Sequence, residues 1–315
     1  SMHGMARIAT ETGDKAYIEE IRGELMPYVR GERTYNCNFP NYFCGGNASA
    51  WMLYKGLLPE VKETAVKYCE QIRNEAPRDP DGILCHPKMP SQNAIWIDVA
   101  FAVSPFLLFT GLTVGNDEYV EDAINQTVKM IRQFYFEKTG LIFQCKNFRW
   151  PGHMSEDHWS RSNGWGALAL CELAVHLPDS HPRKQEVTEL YLRHMMACLK
   201  YQDENGMWHQ EMTQIRTSYV ETSGTSLLLY ALGAGIHAGI VPESELPHFE
   251  KGLKGMLAYI STDTDIYHTC CGCLCPGQGT KLEYAAHPTM ANDFHAFGPV
   301  VLAMGQAHFM GIENI

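Results

Sequence analysis

Asp98 is the residue most out of keeping with its surroundings in this chain. It stands in IWIDVAFAVSPFLLFTG, residues 95–111, where almost every other side chain is apolar. An ionised carboxylate in such a stretch costs several kcal/mol unless it is paired or solvated. Either Asp98 caps a helix or it lines a wet cavity. Ile95, Trp96 and Ile97 precede it without a polar cap and bulky residues follow directly, which favours the cavity. There the apolar neighbours Trp96 and Ile97 would raise its pKa, and the carboxyl could serve as a general acid and base.

A second group of candidates lies in Trp159-Ser-Arg161-Ser-Asn163-Gly-Trp165. Trp159 and Trp165 offer flat apolar faces suited to a sugar ring, and Arg161 a donor fork matched to a carboxylate. The structural alternative is an Arg161 paired with Glu156 or Asp157 beside two core tryptophans. His86 lies upstream of Asp98, followed by Lys88, Gln92 and Asn93; a lone histidine equally suits a structural role. Glu221 with Thr222, and Asp293 with His295, open two later apolar stretches, where capping is the alternative. The chain has no phosphate-binding Gly loop, nucleophile elbow or HExxH helix. Any chemistry therefore rests on carboxylate, His and Arg, with no metal and no cofactor.

Composition narrows the partners. The net charge of -11 argues against a nucleic-acid or anionic-membrane partner, since either wants a basic face. No apolar run approaches the roughly 20 residues that span a bilayer. Eleven cysteines are an odd number. Cys69, Cys171 and Cys198 fall in helix-like patterns, where a thiol is a small buried hydrophobe. Such usage suits a reducing, cytoplasmic compartment better than a disulfide framework. The run Cys270-Cys-Gly-Cys-Leu-Cys275 lacks the spacing of a zinc knuckle and reads as a loop.

These residues need elements to hold them. Gly82-Ile-Leu-Cys-His86, Gly140-Leu-Ile-Phe-Gln144 and Gly206-Met-Trp-His-Gln210 form a loose repeat with a period near 60 residues, and Asp265-Ile-Tyr-His268 resembles a fourth copy. Before each copy the pattern is an amphipathic helix, as in Val120, Ile124, Thr127, Ile131 and Phe134. After each comes a uniformly apolar helix, at roughly 44–57, 95–110, 159–177, 219–238 and 293–310. Further amphipathic patterns cover 15–30, 60–76 and 243–261. Alternating buried and one-sided helices predict one all-α domain over 1–315, an α/α toroid whose inner helices start at a common mouth. An open solenoid is the alternative. The opening SMHGMAR reads as a tag remnant, with residues 1–12 disordered or extended.

The segments HPKMPSQNAIWIDVAFAVSPFL, TGLIFQ, HWSRSNGWGALALCELAVHLP, YQDENGMWHQ and YVETSGTSLLLYALGAGI, in that order, resemble the unsaturated rhamnogalacturonyl hydrolases. These form glycoside hydrolase family 105, close to the unsaturated glucuronyl hydrolases. The resemblance runs from about Gly13 to the C-terminus and is most specific in WID and WSRSNGW. It implies a six-hairpin α/α toroid that removes the 4,5-unsaturated uronic acid left by pectin lyases. By it, Asp98 matches the general acid/base, His86 a site histidine one residue out of register, and Arg161 and Trp165 residues lining the sugar site. Gln144 stands where the family usually has histidine.

Two departures accompany it. The family's second site aspartate, in a pattern like YNLDDINPG, is replaced by TYNCNFPNYFCGGNASAW, where Asn38 is the nearest stand-in. The chain also begins late against the family, so a ring short of one or two helices is expected, with an apolar flank suited to a homodimer. A catalytically degenerate sugar-binding toroid is the rival reading. A sugar epimerase would require His86 to face His209 or His295.

Overall fold

The computed structural model describes residues 1–35, 46–86, 89–273 and 277–312. Six helices form an inner ring: α1 (Met2–Thr12), α3 (Gly46–Tyr54), α5 (Asp98–Val114), α7 (Ser160–His176), α9 (Thr222–His237) and α12 (Phe297–Phe309). Each packs on the next, and α12 returns to α1, so the ring closes. Outside it lie α2 (Lys15–Val29), α4 (Lys62–Asn74), α6 (Asp117–Phe134), α8 (Lys184–Leu199) and α10 (Leu246–Leu257). A short α11 (Lys281–Ala285) belongs to the loops. This is the expected toroid, with all ten of the helices read from periodicity.

The division into inner and outer follows the side chains. In α5 every residue from Ala102 to Gly111 is buried, so no face is left for water. In α6 the stripe Val120, Ile124, Thr127, Ile131 and Phe134 is buried, while Asp117, Glu118 and Glu121 stay outside. Burying each large apolar side chain contributes roughly 1.5–3 kcal/mol, and the continuous core holds the ring together.

The repeat glycines make the turns that return the chain to the ring. Gly82, Gly140 and Gly206 have φ of 80°, 75° and 83°, which L-residues avoid. Single bridges flank them at Arg78↔Leu84 and Tyr135↔Ile142, and Ile260↔Ile266 marks the fourth copy. Short antiparallel pairs complete the mouth: β1 (Ile95–Trp96) with β2 (Cys145–Lys146), and β3 (Thr269–Cys270) with β4 (Thr289–Met290).

The N-terminus corrects the sequence reading. Residues 1–12, expected as a disordered or extended remnant, contain α1, with His3, Gly4, Ala6 and Ala9 buried. A Cβ on Gly4 would lie 3.0 Å from Val301, and one on Gly305 would lie 2.7 Å from Ile8. Small residues on both helices thus let α1 and α12 approach closely. The inner ring is not short of a helix, and the gap invoked for a dimer face is filled. Among the described residues no helix is long and apolar enough to cross a membrane.

Candidate active site

The β1–β2 pair sets the position of Asp98. Ile97 N–H donates to the Gln144 carbonyl at 3.0 Å, so α5 starts where the 140s hairpin ends. Asp98 is the first residue of α5 and is 8% exposed. Its Oδ2 has no hydrogen-bond partner among the described residues. Burial pushes the carboxyl up to about 7; the Arg161 charge opposes this and the Asp157 charge adds to it. Asp98 is therefore an enclosed acid that exchanges its proton near neutrality.

One turn on, Phe101 stacks on Trp165 of α7, with centroids 4.4 Å apart and planes 17° from parallel. Residues three or four apart share a helix face, so the Asp98–Phe101 face of α5 meets the Arg161–Trp165 face of α7. Pro105 lies inside α5 and lacks the N–H that would bond the Phe101 carbonyl. The Asn47 amide of α3 donates there instead, at 3.1 Å. That ties a third inner helix to the mouth and leaves Asn47 Oδ1 without a partner among the described residues. Trp165 Nε1 is likewise buried and unpartnered there.

The wall beside Asp98 is aromatic. His86 stacks on Trp96 at 5.2 Å, and Phe148 meets His86 edge-on at 5.3 Å. His295 pairs with Asp293, its Nδ1 2.7 Å from Asp293 Oδ1. Burial and then the Arg161 charge lower His295 to about 4, so the ring is neutral. Gln144 is fully buried; its Nε2 donates to Cys273 Sγ at 2.9 Å, and its Oε1 has no partner among the described residues.

Three expected sugar contacts have other duties. Arg161 is 0% exposed, and its fork donates to Ser223 Oγ, to the Cys270 carbonyl and to the Gly272 carbonyl. It clamps the 270–273 loop to α7 rather than offering a free fork. Trp159 is 1% exposed, lies 4.3 Å under the Arg161 guanidinium and donates its Nε1 to Gln210. Asn163 exchanges both amide bonds with Ile142, at 3.0 and 3.2 Å, and so pins the hairpin to α7. The ion pair of Arg161 with Glu156 or Asp157 does not form among the described residues either. Glu221 caps α9 through the N–H groups of Ser223 and Gly224. His209 is committed to Ser218 and Asp203.

Cys270, Cys271 and Cys273 are thiols rather than disulfides beside the mouth, and Cys275 lies outside the described residues. So do Asn38 and Lys88. Among the described residues, no three His, Cys, Asp or Glu side chains are grouped to hold a metal ion.

The architecture is thus a closed α/α toroid with an enclosed carboxyl of raised pKa at one mouth. The family model described as Glycosyl Hydrolase Family 88 matches residues 1–310, and the chain belongs to that family. It is 25% identical over 207 residues to an unsaturated rhamnogalacturonyl hydrolase of Bacillus subtilis (strain 168), covering 64% of this chain and 58% of that one. It is 30% identical over 177 residues to an unsaturated 3S-rhamnoglycuronyl hydrolase of Alteromonas sp. (strain LOR), covering 53% and 42%. The matches thus span about half the length of these curated relatives. In fold, the chain is similar to a family 105 glycoside hydrolase from C. acetobutylicum ATCC 824, with a TM-score of 0.85 at 21% identity over 98% of this chain and 91% of that one. The unsaturated glucuronyl hydrolase of Bacillus sp. GL1 gives 0.71 at 17% identity, over 97% and 84%. The resemblance read from WID and WSRSNGW is borne out.

Proposed function

We propose that this chain removes a terminal 4,5-unsaturated uronic acid from pectin-derived oligosaccharides, of the rhamnogalacturonan type, by hydrating the C4–C5 double bond. The observation that carries this reading is Asp98: an enclosed carboxyl with an unpartnered oxygen, protonated up to about pH 7. Around it, Trp165 Nε1, Asn47 Oδ1 and Gln144 Oε1 are buried polar atoms without partners among the described residues. Folded proteins leave few such atoms, and several at one mouth suit a polar ligand.

In this mechanism, neutral Asp98 gives its proton to C4 of the enol ether. Positive charge develops at C5, and the carboxylate just formed stabilises it. Water adds at C5 and returns a proton to Asp98, and the hemiketal collapses to release the rest of the sugar chain. One carboxyl serves both steps, unlike the carboxylate pair of ordinary glycosidases. The His86–Trp96–Phe148 wall supplies flat faces for the ring. Cysteines held as thiols support a reducing, cytoplasmic setting.

The test is incubation with lyase-generated disaccharides from rhamnogalacturonan and from glycosaminoglycans. Hydration removes the ultraviolet absorbance of the conjugated acid. Loss of absorbance on the rhamnogalacturonan product is the expected result; tight binding without turnover would overturn the reading in favour of a sugar-binding toroid.

A further inference from the structure

A second carboxyl is sealed into the same mouth. Asp157 lies just ahead of α7, one helical turn before Arg161, and is 0% exposed. Its Oδ2 accepts the Trp159 N–H at 3.2 Å, and the Ser155 side chain, two residues before it, favours the ionised form. Its Oδ1 has no partner among the described residues. Ser155 continues towards Asp98. Its Oγ accepts the N–H of Gln144 at 3.2 Å, and the Gln144 carbonyl holds Ile97, the residue before Asp98. The two carboxyls therefore flank one short backbone segment.

The charged groups around them do not neutralise Asp157. Arg161 acts on Asp98, but its fork holds the 270–273 loop. Lys281 lies 3.9 Å from Glu211. Glu211, itself buried, adds like charge, and the neutral His295 is paired with Asp293. Burial first, and Glu211 in addition, push Asp157 up to about 7 against the influence of Ser155 and the Trp159 N–H. Two enclosed carboxyls in mutual electrostatic reach do not both ionise cheaply, and they titrate as a pair.

We propose that Asp157 is the second carboxyl of this site, a positioning residue that shares the pocket's protons with Asp98 and keeps Asp98 able to donate. The proposal rests on the reading of Asp98 as acid and base. It takes the second carboxyl from the entry to α7 rather than from the loop before α3. Asp157 touches neither C4 nor C5; it acts through the charge that Asp98 feels.

The experiment compares the pH dependence of kcat/KM for the parent and Asp157→Asn on the unsaturated rhamnogalacturonan disaccharide. An amide carries no charge, so Asp98 should lose its proton more easily. The alkaline limb should move down by about one pH unit, giving roughly tenfold less activity at pH 8 and near-parental activity at pH 5.5 with KM unchanged. A uniform loss at every pH, or an unmoved limb, overturns the proposal. Should Asp157→Asn not fold, the infrared band of protonated carboxyl is titrated in the parent and in Asp98→Asn. With Asp98 neutral, the remaining buried carboxyl should ionise at lower pH than the parent pair, and an unshifted band overturns the proposal. A parent inert on every unsaturated disaccharide would sink the hydrolase reading, while the infrared titration would still decide whether the carboxyls share protons.

Discussion

The ring buries a carboxyl near each end, and the two behave in opposite ways. Asp98 at the mouth is raised to about 7. Glu172, three turns below Arg161 on α7, is equally enclosed yet held well below the usual carboxylate range. Burial acts upward on both. At Glu172 it is outweighed by Arg7, whose Nη2 lies 2.6 and 2.5 Å from the two carboxylate oxygens. The Tyr230 hydroxyl donates to the same group at 2.5 Å, and Trp51 lies 3.9 Å under the guanidinium. At Asp98 the nearby arginine is bonded to backbone carbonyls instead. The reactivity of a buried acid here depends on where its arginine's donors go. A cavity of about 130 Å³ lies at the base beside Arg7, Glu172, His176 and Tyr230, but its carboxylate is satisfied, so it is no proton donor.

The largest effect expected from disturbing this contrast is at Asp98. Asp98→Asn should lower turnover by about two to four orders of magnitude, as removal of a general acid does. It should also stabilise the fold at alkaline pH. A raised carboxyl pKa costs nothing below about pH 4, where the unfolded chain is also protonated, and its full cost is present above about 7. The parent's Tm should thus fall between pH 5 and 8, and the variant's should fall less. Parental turnover in Asp98→Asn would make the residue structural.

At the base, Glu172→Gln should do the reverse. It leaves Arg7 buried without its counter-charge, at about 3–5 kcal/mol of unfolding free energy in urea, with kcat of the folded enzyme nearly unchanged. The sign with pH is also opposite. A lowered carboxyl contributes stability above its unfolded value of about 4.3 and loses it as pH falls through the folded one. Equal acid sensitivity of parent and variant would contradict the pairing.

Arg161→Lys retains charge but not the fork. The 270–273 loop should loosen, seen as faster hydrogen exchange at Cys270 and Gly272, with about 1–3 kcal/mol lost from stability. Unchanged exchange combined with weaker substrate binding would instead return Arg161 to the substrate. The smallest effect should come from Trp165→Phe, which keeps an aromatic ring against Phe101 and removes Nε1–H. We expect kcat/KM to drop roughly tenfold or less, with Tm unchanged or higher because an unpartnered donor is gone. A large loss of Tm would place Trp165 in the core alone.

Periodicity made ten helices and their two layers legible, because each layer imposes a different pattern on its side chains. Asp98 was legible because a carboxyl in an apolar run contradicts its surroundings. α1 was not, since the opening SMHGMAR reads as a tag remnant, although Ala6 and Ala9 are buried and Met2 and Met5 pack on the core. The duties of Arg161 and Trp159 were hidden for another reason. Their partners Cys270, Gly272 and Gln210 arrive from distant loops, and a side chain's donors do not reveal what they will meet. Asp157 was read as a counter-ion for that same arginine, and only the closed ring shows it to be sealed in without one.

The seam between α1 and α12 joins the first helix to the last. The contacts across it are among the most distant in sequence that the ring makes, and such contacts form slowly. In refolding, closure of this seam should therefore lag behind the packing of neighbouring helix pairs, and the rim of the mouth should be completed with it.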